Sequence, residues 1–162
     1  MEYKLNIGCG KLHEKDTETI KWINIDKILE VNPDYLLDII KGFPKNEPWG
    51  KDNSVSYVKA MCCLGQIEKN EDFLFVMNEI HRVLKPEGQL WIYLPDEEHP
   101  TNAYIDPFNQ RKFRKCTLEA FNYQYLQFLQ HQKYYGFKPW KVEYVKTNDS
   151  GFLTALFTKY EI

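Results

Sequence analysis

The sequence predicts an α/β domain whose mostly parallel sheet ends in an antiparallel hairpin. Short apolar segments bounded by turn residues recur along the chain and predict strands, and segments of helical periodicity stand between the later ones. The last two strands, about residues 140–147 and 152–160, are joined by Thr147-Asn148-Asp149-Ser150-Gly151, a segment typical of a hairpin turn. The chain of 162 residues has the length of one domain, so we assign residues 1–162 to a single domain.

The first two predicted strands stand too close together in sequence for an ordinary crossover. They cover residues 3–8 and 22–26, and the segment between them is short and polar. A parallel crossover needs about a dozen residues or more and usually contains a helix. We therefore expect the first crossover helix to be short or missing.

The remaining elements follow from hydrophobic periodicity. Strands are predicted at residues 34–38, 54–58 and 89–94. Apolar residues recur at helical spacing over residues 72–85, and a second helix is predicted over residues 117–135.

Composition argues against several classes of partner. The formal net charge of -2 provides no broad basic surface for nucleic acid. No apolar run reaches the roughly 18 residues of a membrane-spanning helix, so we expect no membrane partner. The four cysteines form no Cys-x-x-Cys pair, so we predict no metal site and expect reduced thiols in a cytoplasmic protein.

The first strand runs into the turn Gly8-Cys9-Gly10, and the second ends in Asp26. A glycine turn lets a ligand approach the backbone, and an acid on the next strand can hold a ribose diol. The pair predicts a site for a nucleoside-bearing cofactor. A nicotinamide dinucleotide fits less well, because Leu12 stands where a third glycine is usual and no full helix follows to face a pyrophosphate.

Four segments in this order and spacing resemble the class I S-adenosylmethionine-dependent methyltransferases, in particular the small UbiE-like and methyltransferase type 11-like members. They are residues 5–10, Ile25-Asp26, Asp38-Ile39 and residues 79–90. The resemblance implies a Rossmann-like, mostly parallel seven-stranded sheet with an antiparallel C-terminal hairpin. It also implies S-adenosyl-L-methionine as the cofactor.

The resemblance assigns roles to individual residues. Asp26 would accept hydrogen bonds from the ribose hydroxyls, and Asp38 would accept one from the adenine amine. The full set of expected cofactor-binding residues is Asn6, Gly8, Cys9, Gly10, Asp26, Lys27, Asp38, Ile39, Met61 and Cys62.

The same resemblance implies in-line methyl transfer to a small-molecule or sugar-type acceptor. The loop after the fifth strand is where a general base is expected, and His99 and Asp96 are the candidates. Tyr104 and Arg111 are the candidate substrate residues, with Arg111 suited to an anionic group. The sequence leaves a homodimer open.

Two departures from the family pattern keep a second hypothesis open. Asn6 stands where an acid is usual, and residues 62–67 lack the ionisable side chains that relatives often carry there. The alternative is therefore a non-catalytic, methyltransferase-like binding or scaffold protein. A nucleic-acid amino-methyltransferase is rejected, because its Asn/Asp-Pro-Pro-aromatic motif is incomplete and misplaced.

Overall fold

The computed structural model describes residues 1–99, 106–125 and 134–161, and its strands form one seven-stranded sheet. The strands are β1 (Glu2–Ile7), β2 (Ile20–Asp26), β3 (Tyr35–Leu36), β4 (Val55–Met61), β5 (Leu84–Pro95), β6 (Trp140–Thr147) and β7 (Phe152–Lys159). Their order across the sheet is β3-β2-β1-β4-β5-β7-β6. Strands β1 to β5 pair in parallel, whereas β7 pairs antiparallel with β5 and β6. The predicted fold class, including the C-terminal antiparallel hairpin, is confirmed.

The predicted helix at residues 72–85 corresponds to α1 (Asn70–Val83). Its apolar stripe, which includes Val76 and Ile80, is fully buried in the same core cluster as the inward side chains of the sheet. The stripe forms because apolar residues recur every three or four positions and so share one face of the helix. None of the helices in the described part of the chain is long and apolar enough to cross a membrane.

The helix predicted over residues 117–135 is wrong across its described middle. Helix α2 covers only Lys115–Glu119, and the chain then turns. The backbone N–H of Tyr123 donates to the carbonyl of Trp140 at 2.7 Å, and Asn122 forms an isolated bridge with the same residue. Pairing with the start of β6 thus overrides helical periodicity, as tertiary context often does. Residues 126–133 of that prediction lie outside the described residues.

Two buried asparagines hold the first crossover in place without a helix, as the short linker predicted. The Asn6 amide donates to the Leu12 carbonyl at 2.8 Å and to Asn24 Oδ1 at 2.9 Å. The Asn24 side chain in turn accepts from the Glu14 N–H at 2.8 Å and donates to Asp34 Oδ2 at 2.7 Å. The loop is therefore fixed by side-chain amides in place of helical backbone bonds.

The sheet has two unlike faces. One face, which includes Leu5, Val58 and Leu90, is fully buried in one cluster with α1. The alternating residues point to the other side, and they include half-buried Tyr57 and Trp91. Among the described residues, the segments in contact with this second side belong to the crossover loop, through the bonds of Asn6, Asn24 and Lys59.

His81 fastens α1 to the C-terminal end of the chain. Its Nε2 lies 3.1 Å from the carbonyl oxygens of both Pro139 and Tyr160. Burial, reinforced by the nearby charge of Lys159, lowers the pKa of the imidazole from its ordinary value. His81 therefore has a structural role, and it lies at the edge of the sheet opposite the carboxyl ends of β1 and β2.

The asparagine network makes a prediction about stability. We expect Asn6→Asp to lower the free energy of unfolding by roughly 3 kcal/mol, because a buried carboxylate would face two acceptors, the Leu12 carbonyl and Asn24 Oδ1. Urea titration followed by tryptophan fluorescence measures this. The matched control is Asn148→Asp, since Asn148 only accepts through Oδ1 and a carboxylate can do the same. Equal losses in the two variants would contradict the role given to Asn6.

The buried imidazole predicts a pH dependence. Below about pH 6.5, the unfolded chain takes up a proton that His81 resists, so stability falls as pH decreases from 6.5 toward the lowered pKa of the folded state. Above 6.5 this contribution is constant. We expect the variant His81→Gln to show a shallower decline in the urea midpoint between about pH 6.5 and 5 than the parent protein. Parallel slopes for the two proteins would contradict it.

Candidate functional site

A cavity of about 560 Å³ lies at the carboxyl ends of the parallel strands. Gly8, Gly10, Asp26 and Lys27 reach it from the ends of β1 and β2. Asp38 and Ile39 follow β3, while Met61 and Cys62 end β4, and all four line the same cavity. Ligands of open α/β sheets bind at this edge, outside the carboxyl ends of the strands.

The two glycines of the turn serve different purposes. Both have positive φ, +62° at Gly8 and +50° at Gly10. A Cβ atom on Gly8 would lie 2.4 Å from the Cβ of Cys63, so the turn and the segment after β4 pack together only without a side chain there. A Cβ on Gly10 would have no atom within 4 Å, so this residue leaves open space toward the cavity.

The carboxylate of Asp26 is held by two backbone N–H groups. Its Oδ2 accepts from the Gly10 N–H at 2.9 Å, and its Oδ1 accepts from the Ile28 N–H at 3.0 Å. An ionised carboxylate offers about four acceptor positions, so two remain for a ligand. The two backbone bonds fix the orientation of the group before any ligand arrives.

Asp38 and a group of isoleucines form the neighbouring wall. Asp38 precedes a 3₁₀ turn at Ile39–Lys41 and is half-buried at the cavity edge. Ile28 and Ile40 are exposed apolar side chains that line the same cavity. Apolar walls beside a carboxylate acceptor suit a flat heterocycle that carries an amino group.

The opposite wall contains neutral thiols. Burial raises the pKa of Cys62 and raises that of Cys63 to about 12, so both thiols are protonated at neutral pH and are poor nucleophiles. Cys62 also has a φ of +56°, an uncommon conformation for a residue with a side chain. Within the described ranges, no group of three or more His, Cys, Asp or Glu side chains is placed to hold a metal ion.

Sequence comparison identifies no relative: no family model matches, and no curated protein does. Structural comparison finds proteins with a similar fold. A SAM dependent methyltransferase from Archaeoglobus fulgidus superposes with a TM-score of 0.68 at 16% identity, over 98% of this chain and 86% of that one. The complex between the Haloferax volcanii Trm112 methyltransferase activator and the putative methyltransferase matches with a TM-score of 0.68 at 14% identity, over 99% and 83%.

A third match is Burkholderia thailandensis 1,6-didemethyltoxoflavin-N1-methyltransferase with bound 1,6-didemethyltoxoflavin and S-adenosylhomocysteine. Its TM-score is 0.61 at 13% identity, over 98% of this chain and 71% of that one. The chain has the class I methyltransferase fold. In this fold the cavity lies where the sheet order reverses at β1, between β2 on one side and β4 on the other.

Two residues expected to bind a cofactor stand apart from the cavity of this methyltransferase fold. Asn6 does not line it, because its amide is committed to Leu12 and Asn24 in the crossover network. Cys9 is buried, its N–H donates to the Ile25 carbonyl at 3.0 Å, and burial raises its pKa to about 11. The structure therefore places both side chains behind the glycine turn and outside the lining of the cavity.

The two candidate catalytic residues also lie elsewhere. Asp96 is 3% exposed, and its oxygens accept from the Thr147 hydroxyl at 2.7 Å and from the Glu98 N–H at 3.0 Å. The ring of His99 packs on Gly151, where a Cβ would lie 2.2 Å from it. Neither residue lines the cavity, because the loop after β5 folds back onto the turn of the β6–β7 hairpin.

Neither candidate substrate residue is found at the cavity among the described residues. Tyr104 lies outside the described residues. Arg111 borders a second, aromatic cavity of about 610 Å³ and not the first one. Its guanidinium carbon lies 4.4 Å from the centre of the Phe73 ring, and its Nη2 donates to Asn70 Oδ1 at 2.8 Å. Burial lowers the pKa of this arginine.

Sequence reasoning missed several residues that line the cavity, including Ile28, Cys63, Gln66 and Asp72. Their residue types carry no chemical signature. The one available signal was position, because Ile28, Cys63 and Gln66 follow closely on the ends of parallel strands and Asp72 lies in the first turn of α1, the next helix after β4.

The glycine turn yields a comparison of two variants. We expect Gly8→Ala to lower the free energy of unfolding by roughly 3–4 kcal/mol, since backbone strain and a clash with Cys63 add together. Gly10→Ala meets only the strain, so it should cost about 1 kcal/mol. Urea denaturation of both variants measures the difference. Similar losses would show that the contact with Cys63 does not constrain the turn.

Proposed function

We propose that this protein is an S-adenosyl-L-methionine-dependent methyltransferase that modifies a small-molecule or sugar-type acceptor by in-line transfer. One observation carries the proposal: a cavity in a methyltransferase fold combines the open glycine turn at Gly10 with the pre-oriented carboxylate of Asp26. The proposed reaction takes place in the cytoplasm, in keeping with four free cysteines.

The residues of the cavity fit this cofactor in size and chemistry. The volume of about 560 Å³ lies within the roughly 300–1,000 Å³ of small-molecule sites. Asp26 keeps acceptor positions for a ribose diol, and Asp38 with the neighbouring isoleucines suits an adenine ring. The N-terminus of a crossover helix would bind a pyrophosphate, and that helix is missing here. S-adenosylmethionine has no phosphate, so its binding does not require the helix.

The side chains of this chain act mainly by positioning. When bound, S-adenosylmethionine supplies a methyl group that is already activated on a sulfonium. Asp26 fixes the ribose end, while Met61 and Cys62 offer polarizable, uncharged surface at the end of β4. Holding two reactants in line supplies much of the rate in a displacement that needs little further activation.

The acceptor is proposed to be small. Gln66, Glu68 and Asp72 border the cavity on the side that follows β4, and they offer hydrogen-bonding groups to an acceptor. The structural neighbour that methylates didemethyltoxoflavin acts on such a molecule, which supports this class of acceptor.

A second candidate function is a cofactor-binding protein without turnover. It is favoured by one observation: among the described residues that line the cavity there is no imidazole, and Asp96 and His99 serve the hairpin. The two functions differ in product formation. Incubation with methyl-labelled cofactor and pooled small acceptors should transfer label for the enzyme, whereas the binding protein retains the cofactor unchanged.

Cofactor binding is tested by calorimetric titration with S-adenosylhomocysteine. We expect saturable binding to the parent protein and at least a tenfold loss in Asp26→Asn, since charge-assisted hydrogen bonds contribute about 1.5–3 kcal/mol each. The control is Asp149→Asn, which makes the same change in the exposed hairpin turn. Absence of binding heat in the parent protein at high ligand concentration would refute the proposed function.

A further inference from the structure

The second side of the sheet is an unusual surface for a parallel fold. Its outward side chains, hereafter the open face, include Lys4, Trp22, Tyr57, Lys59, Trp91 and Tyr93. Parallel sheets are normally covered by helices on both faces. Here α1 covers one face, and in the described part of the chain only the crossover loop lies on the other.

The aromatic rings of the open face support one another and form a fixed ridge. Trp91 and Tyr93 are stacked at 5.7 Å with planes 17° apart, and Tyr93 stacks on Phe152 at 4.8 Å and 9°. Trp22 and Tyr57 meet edge to face at 6.0 Å. Trp91 and Tyr93 stack along β5, and Tyr93 stacks across to Phe152 of β7, so the ring faces between them are occupied and the ridge presents mainly ring edges to a partner.

Lysines outnumber acids on the open face: Lys4, Lys59, Lys141 and Lys146 stand against Glu2, Glu143 and, from the crossover loop, Glu14. Lys4 Nζ lies 5.6 Å from the Tyr57 ring centre, and Lys146 Nζ lies 5.2 Å from that of Tyr144. Neither ammonium forms an ion pair with a carboxylate of the described residues. Lys59 pairs with Glu14. An apolar ridge flanked by unpaired cations is complementary to an apolar stripe flanked by acids.

Two other occupants fit less well. A second copy of this chain would bring the unpaired ammonium groups of both copies into one interface, and desolvated, unpaired charges are costly. Single-stranded nucleic acid would complement the charge, but it binds by stacking bases on exposed ring faces, and these rings cover one another.

We propose that the open face binds an acidic amphipathic helix of a partner protein. A helix is the element that normally covers a parallel sheet, and none of the helices in the described ranges lies on that side. The five neighbouring strands from β1, which carries Lys4, to β6, which carries Lys146, are spaced about 4.8 Å apart and span about 20 Å, which a helix of about 15 residues can cross. The site is separate from the cofactor cavity, so the proposal stands independently of the methyltransferase activity.

The test uses two synthetic helical peptides with the same leucine stripe, one flanked by glutamate and one by lysine. Trp22 and Trp91 lie on the open face, whereas Trp49 and Trp140 are buried in the core, so shielding of tryptophan emission from iodide reports binding there. We expect the acidic peptide to bind at least tenfold more tightly than the basic one. The preference should shrink as salt is added.

Variants locate the binding surface. The double variant Lys4→Glu with Lys146→Glu should weaken binding of the acidic peptide at least tenfold and leave binding of S-adenosylhomocysteine unchanged. Lys115→Glu on α2 is the control for charge. Phe75→Ser is the control for an aromatic side chain, because Phe75 is 43% exposed on α1, across the sheet from the open face.

Three results would overturn the proposal. The first is equal or absent binding of the two peptides, and the second is unchanged binding in the double lysine variant. The third is a dimer in sedimentation equilibrium that Trp91→Glu dissociates, because a second copy would then be the occupant. If the parent protein does not bind S-adenosylhomocysteine, by contrast, only the proposed methyltransferase function is refuted.

Discussion

The hydrogen-bonded pair Asn6–Asn24 is the constraint on which the front half of this molecule depends. In an ordinary parallel unit, the crossover helix satisfies its own backbone and covers the sheet. Here the crossover is too short for that, and the two amides bond to the loop backbone at Leu12 and Glu14. An amide can both donate and accept, which a carboxylate at Asn6 could not do. The departure from the family pattern at this position is therefore a structural solution.

The same pair connects the fold to the candidate site. Because the loop is fixed, the turn at Gly8 and Gly10 is held over the end of β2, where Asp26 accepts the Gly10 N–H. The acid is thus oriented by the backbone before a ligand is present. The short crossover has a second effect, since it leaves much of one sheet face without a helix.

The sequence predicted the fold well and the candidate site unevenly. Strand periodicity, the short linker and the hairpin turn depend on local chemistry, and the structure confirms them. The differences depend on distant contacts. Over its described middle, the helix predicted at 117–135 is replaced by pairing with Trp140, and the carboxylate of Asp96 accepts from the Thr147 hydroxyl. No pattern near either residue in sequence contains that information.

The contact between Gly8 and Cys63 has a consequence for how such a sequence can change. Because a Cβ at position 8 would lie 2.4 Å from that of Cys63, the two positions form a coupled pair although they are far apart in the chain. A side chain larger than cysteine at position 63 presses on the same turn. We therefore expect the glycine turn to limit which side chains are tolerated in the segment after β4, so that the two walls of the cavity evolve together.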